Sequence, residues 1–399
     1  MLNIDRYARE SRALVTTAIV AAVAGPVAAQ DSVLTVWAEN APQAEEIMEA
    51  AKAVLGIEYE VTAVPYADLQ GQFTQAVSAG NSPDLIISSC GLQQTWASQN
   101  LLAPVDLGEA GANMDPAALL AGNWDGQTVC VPSSIQSIAM HRNTDLVAEA
   151  QTTWDQVVET CANSPDDGTY CIAFSDSDDF DMFHVFPVLT AYGGYLFGYE
   201  NGAWDTANVG VNDPGTQAAI TMMAELVASG KAVATTTEQV MGLYSDGKVG
   251  LWITGSWNTV NLPAEGLNYT VEASPAGPAG PGRPFINSRG VYVSGSAPNL
   301  ALAQVFIRNF WLTEDAMRLF QVLNGAPTPW IPLQGTDPEM AGFQAASAGG
   351  EPIPQVDVMG KAWALWSAPL KSAFNNGPGV VAEATETAHQ AIVNLVATE

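Results

Sequence analysis

The stretch GKVGLWITGSW, from Gly247 to Trp257, contains the clearest strand pattern of the chain. Apolar residues occupy alternate positions from Val249 to Ile253, which is typical of a buried strand, and the TGS sequence after them turns the chain. Trp257 therefore lies just past the end of a strand. In an open α/β sheet the carboxyl ends of the strands face the crevice where ligands bind, so Trp257 is either a ligand-contacting ring or a core residue.

The N-terminal part of the chain alternates strand and helix patterns. Strands are predicted at Val33–Trp37, Ile57–Val64 and Pro83–Ile87, and apolar residues recur at helical spacing over 42–55 and 66–79. Such alternation predicts an α/β fold with a largely parallel sheet flanked by helices.

The same alternation returns later in the chain. Helices are predicted at Asp181–Ala191, at 214–230, at 300–312 and at 380–397. Between them, Ala273–Pro284 reads ASPAGPAGPGRP, which is the most linker-like composition in the sequence. Earlier in the chain, the sequence WDGQ at 124–127 predicts a hairpin turn.

Length and charge limit the classes of function. A chain of 399 residues with 48% hydrophobic residues predicts two domains with sizeable cores. Acidic residues outnumber basic ones 42 to 13, for a net charge of −29. Because such a charge is repelled by phosphate backbones and anionic lipid heads, nucleic acids and membrane surfaces are not expected as partners.

The first 29 residues read as a signal peptide. Arg6, Arg9 and Arg12 precede an apolar run over 13–24, and small residues lead to a cleavage site near Ala29. The run is too short for a membrane span. We therefore expect export and a mature chain that begins near residue 30.

Export makes disulfides the expected state of the four cysteines, because oxidising compartments preserve them. Cys161 and Cys171 bracket a short polar segment that a bridge would close, and Cys90 and Cys130 then pair by elimination. Free buried thiols are the alternative. A zinc site is not expected, since neither CxxC spacing nor a nearby histidine pair is present.

Several stretches resemble one known family. They are YLFGYENGAWDTANVGV at 195–211, GKVGLWITGSW at 247–257, SPD at 82–84 and PNLALA at 298–303. The chain resembles the periplasmic maltose-binding-protein family (extracellular solute-binding proteins of family 1), the sugar-binding components of ABC importers. The resemblance extends from Trp37 to the last helix.

The resemblance implies a two-lobed periplasmic-binding-protein fold, α/β in each lobe, with discontinuous domains. Lobe I is expected at 30–134 with 291–325, and lobe II at 135–290 with 326–399. A ligand in the cleft between the lobes would close them by a hinge motion, and the closed monomer would dock on a membrane permease in the periplasm. Neither an enzymatic activity nor a cofactor is expected.

Sugar binding makes two physical demands, of which the first is aromatic rings that stack on the C–H faces of the ligand. Trp257 matches the stacking tryptophan of the relatives. Trp366 is expected as a second platform, with Trp363, three residues away on one helix face, as the alternative. Phe183 stands where the relatives carry a sugar-contacting tyrosine.

The second demand is polar groups around the hydroxyl edges. The candidates are Glu39 and Asn40 after the first strand, Gln136 on the strand that crosses between lobes, and Asp181 at the start of an apolar helix. Asn287 and Arg289 re-enter near the hinge, where Arg289 would either bind the ligand or brace the crossover.

Departures from the family argue against maltodextrin itself. Residues 88–92 read SSCGL where the maltose protein carries a tryptophan and an Asp-Arg pair, and Gln136 replaces a glutamate. A different mono- or oligosaccharide or a glycosylated osmolyte fits better.

Other readings remain open at this point. The acidic run at 176–181 and the negative charge suggest a polyamine or other organic cation as the alternative ligand. A calcium loop is not expected at this run, because Phe180 and Asp181 break the required pattern. A secreted glycan hydrolase is the remote alternative, although no GxSxG, HExxH or P-loop motif occurs and no catalytic metal is indicated.

Overall fold

The computed structural model describes residues 33–176, 181–263, 265–337 and 340–398. The signal peptide predicted at 1–29 lies outside these residues. The described chain folds as two compact units, the N-terminal unit (33–136 with Asn287–Asp337) and the C-terminal unit (Ser137–Ile286 with 340–398). The predicted division differs from this one chiefly at 326–337, where Trp330 and Leu333 belong to the core of the N-terminal unit.

Strands and helices are numbered in chain order. The strands are β1 (Val33–Ala38), β2 (Glu58–Ala63), β3 (Leu85–Ser89), β4 (Leu102–Ala103), β5 (Asn123–Trp124), β6 (Gln127–Thr128), β7 (Cys130–Pro132), β8 (Ile138–Asn143), β9 (Tyr170–Ser175), β10 (Phe197–Glu200), β11 (Ala203–Val209), β12 (Ala232–Thr235), β13 (Val249–Gly255), β14 (Tyr269–Glu272), β15 (Phe285–Ile286), β16 (Arg289–Ser294) and β17 (Glu351–Pro352). The helices are α1 (Ala41–Leu55), α2 (Tyr66–Ala79), α3 (Gln93–Ser98), α4 (Pro116–Ala121), α5 (Trp154–Ala162), α6 (Asp181–Ala191), α7 (Pro214–Ala228), α8 (Thr237–Ser245), α9 (Ser256–Thr259), α10 (Leu300–Phe306), α11 (Glu314–Asn324), α12 (Ala341–Ser347), α13 (Met359–Asn376) and α14 (Val381–Thr398).

The sheet of the N-terminal unit is covered on both faces. Its strand order is β2-β1-β3-β16-β4, and β7 also pairs with β16. Because side chains alternate along a strand, Ile87 and Val291 join a core with α1, α10 and α11, while Ile86 and Tyr292 join a second core with Phe73 of α2. The carboxyl ends of β1 and β3 lie at the same edge of this sheet, since the two strands are parallel neighbours.

The C-terminal unit has a sheet in the order β12-β9-β13-β8-β14. The predicted strand at 249–253 is confirmed as β13, in which all seven residues are buried. Leu251 and Ile253 pack with α6, α7 and α13, and Trp252 packs against Tyr244 of α8. Because β13 is buried on both faces, its carboxyl end has a fixed position, and Trp257 lies directly after that end.

Both sheets are mixed, so the expectation of a largely parallel sheet is wrong. The β2-β1-β3 and β12-β9-β13 sets are parallel, whereas β16 and β8 run antiparallel to their neighbours. The reason lies in how these two strands arrive. Each enters its sheet directly from the other unit, at residues 137 and 287, and not through the helical crossover that a parallel neighbour requires.

The Pro/Gly-rich segment 273–284 is not a link between units. It packs on α6, where a Cβ atom on Gly277 or Gly282 would lie 2.5 Å from the carbonyl oxygens of Ala191 and Pro187, respectively. Its glycines therefore serve close approach to a helix. The hairpin predicted at 124–127 is confirmed, with Asp125 and Gly126 at φ 48° and 76°.

Each unit contains one disulfide bond, and both predicted pairings are confirmed. Cys90 joins Cys130 in the N-terminal unit, and Cys161 joins Cys171 in the C-terminal unit. The first bridge packs on β16, where a Cβ atom on Gly290 would lie 2.6 and 2.7 Å from the two sulfur atoms. Over the described part of the chain, no helix is both long and apolar enough to cross a membrane.

Candidate functional site

Trp257 is the second residue of α9, directly after β13, as the sequence predicts. Its side chain is half-buried and packs against the main core of the C-terminal unit. The centroid of its ring lies 6.0 Å from that of Phe183 and 5.8 Å from that of His184, both on α6. The ring is thus held by packing while part of it remains exposed.

Phe183 connects Trp257 to a second tryptophan. Its ring centroid lies 6.4 Å from that of Trp363 on α13 and 6.1 Å from that of Phe285 on β15. Phe183 and His184 are half-buried, and Trp363 has 7% of its surface exposed. We call Phe183, His184, Trp257 and Trp363 the aromatic set.

Trp366 does not fit the role of second stacking platform. None of its surface is exposed, and its ring packs edge-on against Phe186 and Phe285 at centroid distances of 5.8 and 6.0 Å. The i, i+3 spacing places both tryptophans on one face of α13, but Trp366 points into the core. Trp363 is therefore the candidate that we retain.

Asp181 begins α6 and is 1% exposed. Its Oδ2 atom lies 3.7 Å from Nζ of Lys371. Burial raises the pKa of the nearby Asp176, and the charge of Lys371 partly opposes this. Residues 177–180 of the predicted acidic run lie outside the described residues. As placed, Asp181 supports the start of α6, where a negative charge favours the helix.

A polar group occupies the carboxyl ends of β1 and β3 in the N-terminal unit. Glu39 follows β1 and forms an ion pair with Arg289, which begins β16, 250 residues later in the chain. Oγ of Ser88 donates to the Glu39 carboxylate at 2.6 Å. The side chains of Glu39 and Arg289 are 14% and 13% exposed, so this pair is shielded from solvent and still reachable.

Asn287 extends this polar group. Its Nδ2 atom donates to Oγ of Ser89 at 2.9 Å, and its backbone exchanges two hydrogen bonds of 2.8 Å with Gln136. We call Glu39, Ser88, Ser89, Gln136, Asn287 and Arg289 the polar set. Asn40 is engaged differently, because its Oδ1 atom accepts from the backbone N–H of Gln43 and caps α1.

Three members of these sets are not among the candidates from the sequence. Ser88 and Ser89 belong to the stretch 88–92, which departs from the family pattern and was therefore passed over. Their position at the carboxyl end of a strand is nevertheless a sequence signal for a site. For His184 the only sequence signal is weaker, namely that it directly follows the candidate residue Phe183. Among the described residues, no cluster of three or more His, Cys, Asp or Glu side chains is arranged to hold a metal ion.

Comparison with known proteins gives one family. The profile of the bacterial extracellular solute-binding proteins matches residues 46–329. The maltotriose-binding protein of Pyrococcus abyssi is 22% identical over 74% of this chain and 66% of its own length. The galactooligosaccharide-binding protein of Bacillus subtilis is 22% identical over 83% of this chain and 82% of its own.

A third relative is the maltooligosaccharide ABC transporter solute-binding lipoprotein of Streptococcus pneumoniae, which is 24% identical over 62% of this chain and 60% of its own length. The chain thus spans less than two thirds of the length of the Pyrococcus and Streptococcus relatives. Among these three, the Bacillus relative has the largest matched share of both chains.

Proposed function

Because the chain belongs to the bacterial extracellular solute-binding protein family, we propose that it captures a sugar, specifically an oligosaccharide, and delivers it to the permease of an ABC importer. The Pyrococcus, Bacillus and Streptococcus relatives are all named as binding proteins for oligosaccharides. Their names give maltotriose, galactooligosaccharides and maltooligosaccharides, respectively, so the family supports the ligand class and leaves the individual sugar to the residues of this chain.

The observation that carries the proposal is the partly exposed ring of Trp257 at the carboxyl end of β13. An indole backed by Phe183 and His184 offers a flat apolar face of the kind that stacks on a pyranose ring. Trp363 would extend this face through Phe183. Several adjacent rings suit a ligand of more than one sugar unit.

The polar set would bind the hydroxyl edges of the ligand. The Glu39–Arg289 pair offers a carboxylate and a guanidinium with no net charge, and Ser89 and Asn287 add a hydroxyl and an amide. Such a neutral mixture of donors and acceptors suits uncharged hydroxyl groups. We propose that the two units are the two lobes implied by the family resemblance and that a ligand which contacts both favours their closure.

Export, processing and assembly state complete the proposal. The family consists of extracellular proteins, and the sequence of residues 1–29 supports signal-peptide cleavage near Ala29. We propose a monomeric periplasmic protein that acts by binding and does not alter its ligand. The organic-cation alternative loses support, because Lys371 already lies near the carboxylates of Asp176 and Asp181.

A thermal-shift screen tests this function. Glucose, galactose, maltose, maltotriose, galactotriose and spermidine are added separately to the mature protein. A ligand that binds only the folded state at 100 times its Kd stabilises it by about 2.7 kcal/mol. We expect at least one oligosaccharide to raise the melting temperature and spermidine to leave it unchanged.

Two results would contradict the proposal. A shift with spermidine alone would favour the organic-cation alternative. Chromatography of the oligosaccharide after incubation is expected to recover it intact, whereas the appearance of shorter sugars would favour a glycan hydrolase.

A further inference from the structure

Gly255 ends β13 and lies directly against the ring of Trp257. An ideal Cβ atom built on Gly255 would lie 2.1, 2.2 and 2.5 Å from Cζ3, Cη2 and Cε3 of the indole. Non-bonded carbon atoms pack at about 3.5 to 4.0 Å. The six-membered half of the indole therefore occupies the space that any side chain at position 255 would need.

The glycine is required by space and not by backbone conformation. Gly255 has φ −101° and ψ 171°, an extended conformation that is open to every residue. It is also paired with Ile138 of β8 in the sheet. An alanine at position 255 is therefore compatible with the backbone of the strand, and the three atoms nearest to its Cβ atom would all belong to the indole.

The indole is thus fixed by contacts with two elements. β13 supplies the bare Cα of Gly255, and α6 supplies the rings of Phe183 and His184. To clear a Cβ atom the indole must move by about 1 Å or more. Such a movement also changes its contacts with the two rings of α6.

We propose that Gly255 is a positioning residue that sets the plane of the Trp257 indole for stacking on the ligand. This inference rests on the proposed function, because it assigns Gly255 a role only through the ring that would contact the sugar. A stacked sugar needs the face of the indole, so a small tilt of the ring removes contact across the whole face.

The test uses Gly255→Ala, Trp257→Ala and the double variant. Near-ultraviolet circular dichroism without ligand measures the contribution of Trp257 as the difference between a protein and its Trp257→Ala counterpart. We expect this contribution to differ between the wild-type and Gly255→Ala backgrounds, because the ring has moved. An identical contribution in both backgrounds would overturn the inference whether or not a sugar binds.

Ligand affinity is then measured by calorimetry with the panel sugar that gives the largest thermal shift. We expect Gly255→Ala to weaken binding at least fivefold and the double variant to bind no more weakly than Trp257→Ala. If Trp257→Ala weakens binding and Gly255→Ala does not, the inference fails and the proposed function stands. If Trp257→Ala leaves the affinity unchanged, the proposed stacking site itself fails.

Folding is controlled by two further comparisons. Gly242→Ala in α8 is the matched control, because a Cβ atom there meets nothing within 4 Å, and it should leave affinity unchanged. Removing the indole also removes the clash, so the double variant should melt within about 2 °C of Trp257→Ala. A double variant that fails to fold would show that Gly255 serves the strand, and would overturn the inference.

Discussion

The polar set and the aromatic set are held in place by different forces. Glu39 and Arg289 meet through charge and hydrogen bonds across 250 residues of sequence. Trp257 and Phe183 are held by packing against a core that β13 and α6 build. The comparison indicates that the polar set is sensitive to the loss of a charge, whereas the aromatic set is sensitive to the loss of volume.

The largest effect should come from the core beneath the aromatic set. Trp366→Ala removes a fully buried indole and should reduce the free energy of unfolding by about 3 to 5 kcal/mol in urea titrations. Because Trp366 has no exposed surface, the affinity of the folded protein should change less than twofold. A large loss of affinity with intact stability would restore Trp366 as a candidate ligand contact.

Acid should affect the C-terminal unit first. All three histidines of the chain lie in its segments, and burial lowers the pKa of His141 to about 4. In the unfolded chain His141 binds a proton once the pH falls below its ordinary pKa of about 6.5. In the folded chain it stays neutral until the pH falls to about 4. The free energy of unfolding is therefore undiminished above pH 6.5, and about 3 kcal/mol of it is lost as the pH falls from 6.5 to 4.

Urea midpoints at pH 7 and 4.5 measure this loss in the wild type and in the His141→Gln variant. The His141 variant should lose less stability on acidification than the wild type. Hydrogen exchange should show faster opening of β8 and β13 at pH 4.5 than of β1 and β3, after correction for the intrinsic pH dependence. Equal pH dependence of wild type and variant would contradict the assignment to His141.

Breaking the ion pair should have a smaller effect. Arg289→Leu leaves the Glu39 carboxylate shielded from solvent with Ser88 as its donor, and should reduce the free energy of unfolding by about 2 kcal/mol. The double variant with Glu39→Gln should recover part of this loss. Arg318→Leu, from an exposed pair with Glu314 in the same unit, is the control and should cost less than about 0.5 kcal/mol.

The smallest effect concerns the exposed ring. Trp257→Ala should weaken binding of the best panel sugar by at least about 1 kcal/mol, which is roughly fivefold in Kd. Trp204→Ala is the matched control, because this half-buried tryptophan of β11 packs against the same core and its ring contacts Tyr199, which is not part of the aromatic set. Equal affinities of the Trp257 and Trp204 variants would show that the Trp257 ring only completes the core.

The sequence predicts those features that depend on local pattern. Alternation identifies β13, spacing and export identify the disulfide pairs, and the strand end locates Trp257. Two features depend on the path of the chain between the units and could not be predicted locally. One is the antiparallel direction of β8 and β16, and the other is the pairing of Glu39 with Arg289.

A further limit is set by helix geometry. Residues at i and i+3 share a face of a helix, so the sequence could not tell which of Trp363 and Trp366 keeps some exposed surface. Both rings pack against Phe285, and Trp366, which also packs against Phe186, is the one with no exposed surface. The linker-like composition at 273–284 was misleading, because glycine permits close packing against a helix as readily as it permits backbone flexibility.

The position of β16 in the N-terminal sheet constrains the order in which the protein can be built. This strand pairs with β3, β4 and β7, yet it ends at residue 294 of 399. A nascent chain therefore carries an open sheet edge at β3 until β16, which ends at Ser294, has been translated. The first segment of the N-terminal unit, 33–136, therefore keeps an incomplete sheet while the first segment of the C-terminal unit, Ser137–Ile286, is synthesised.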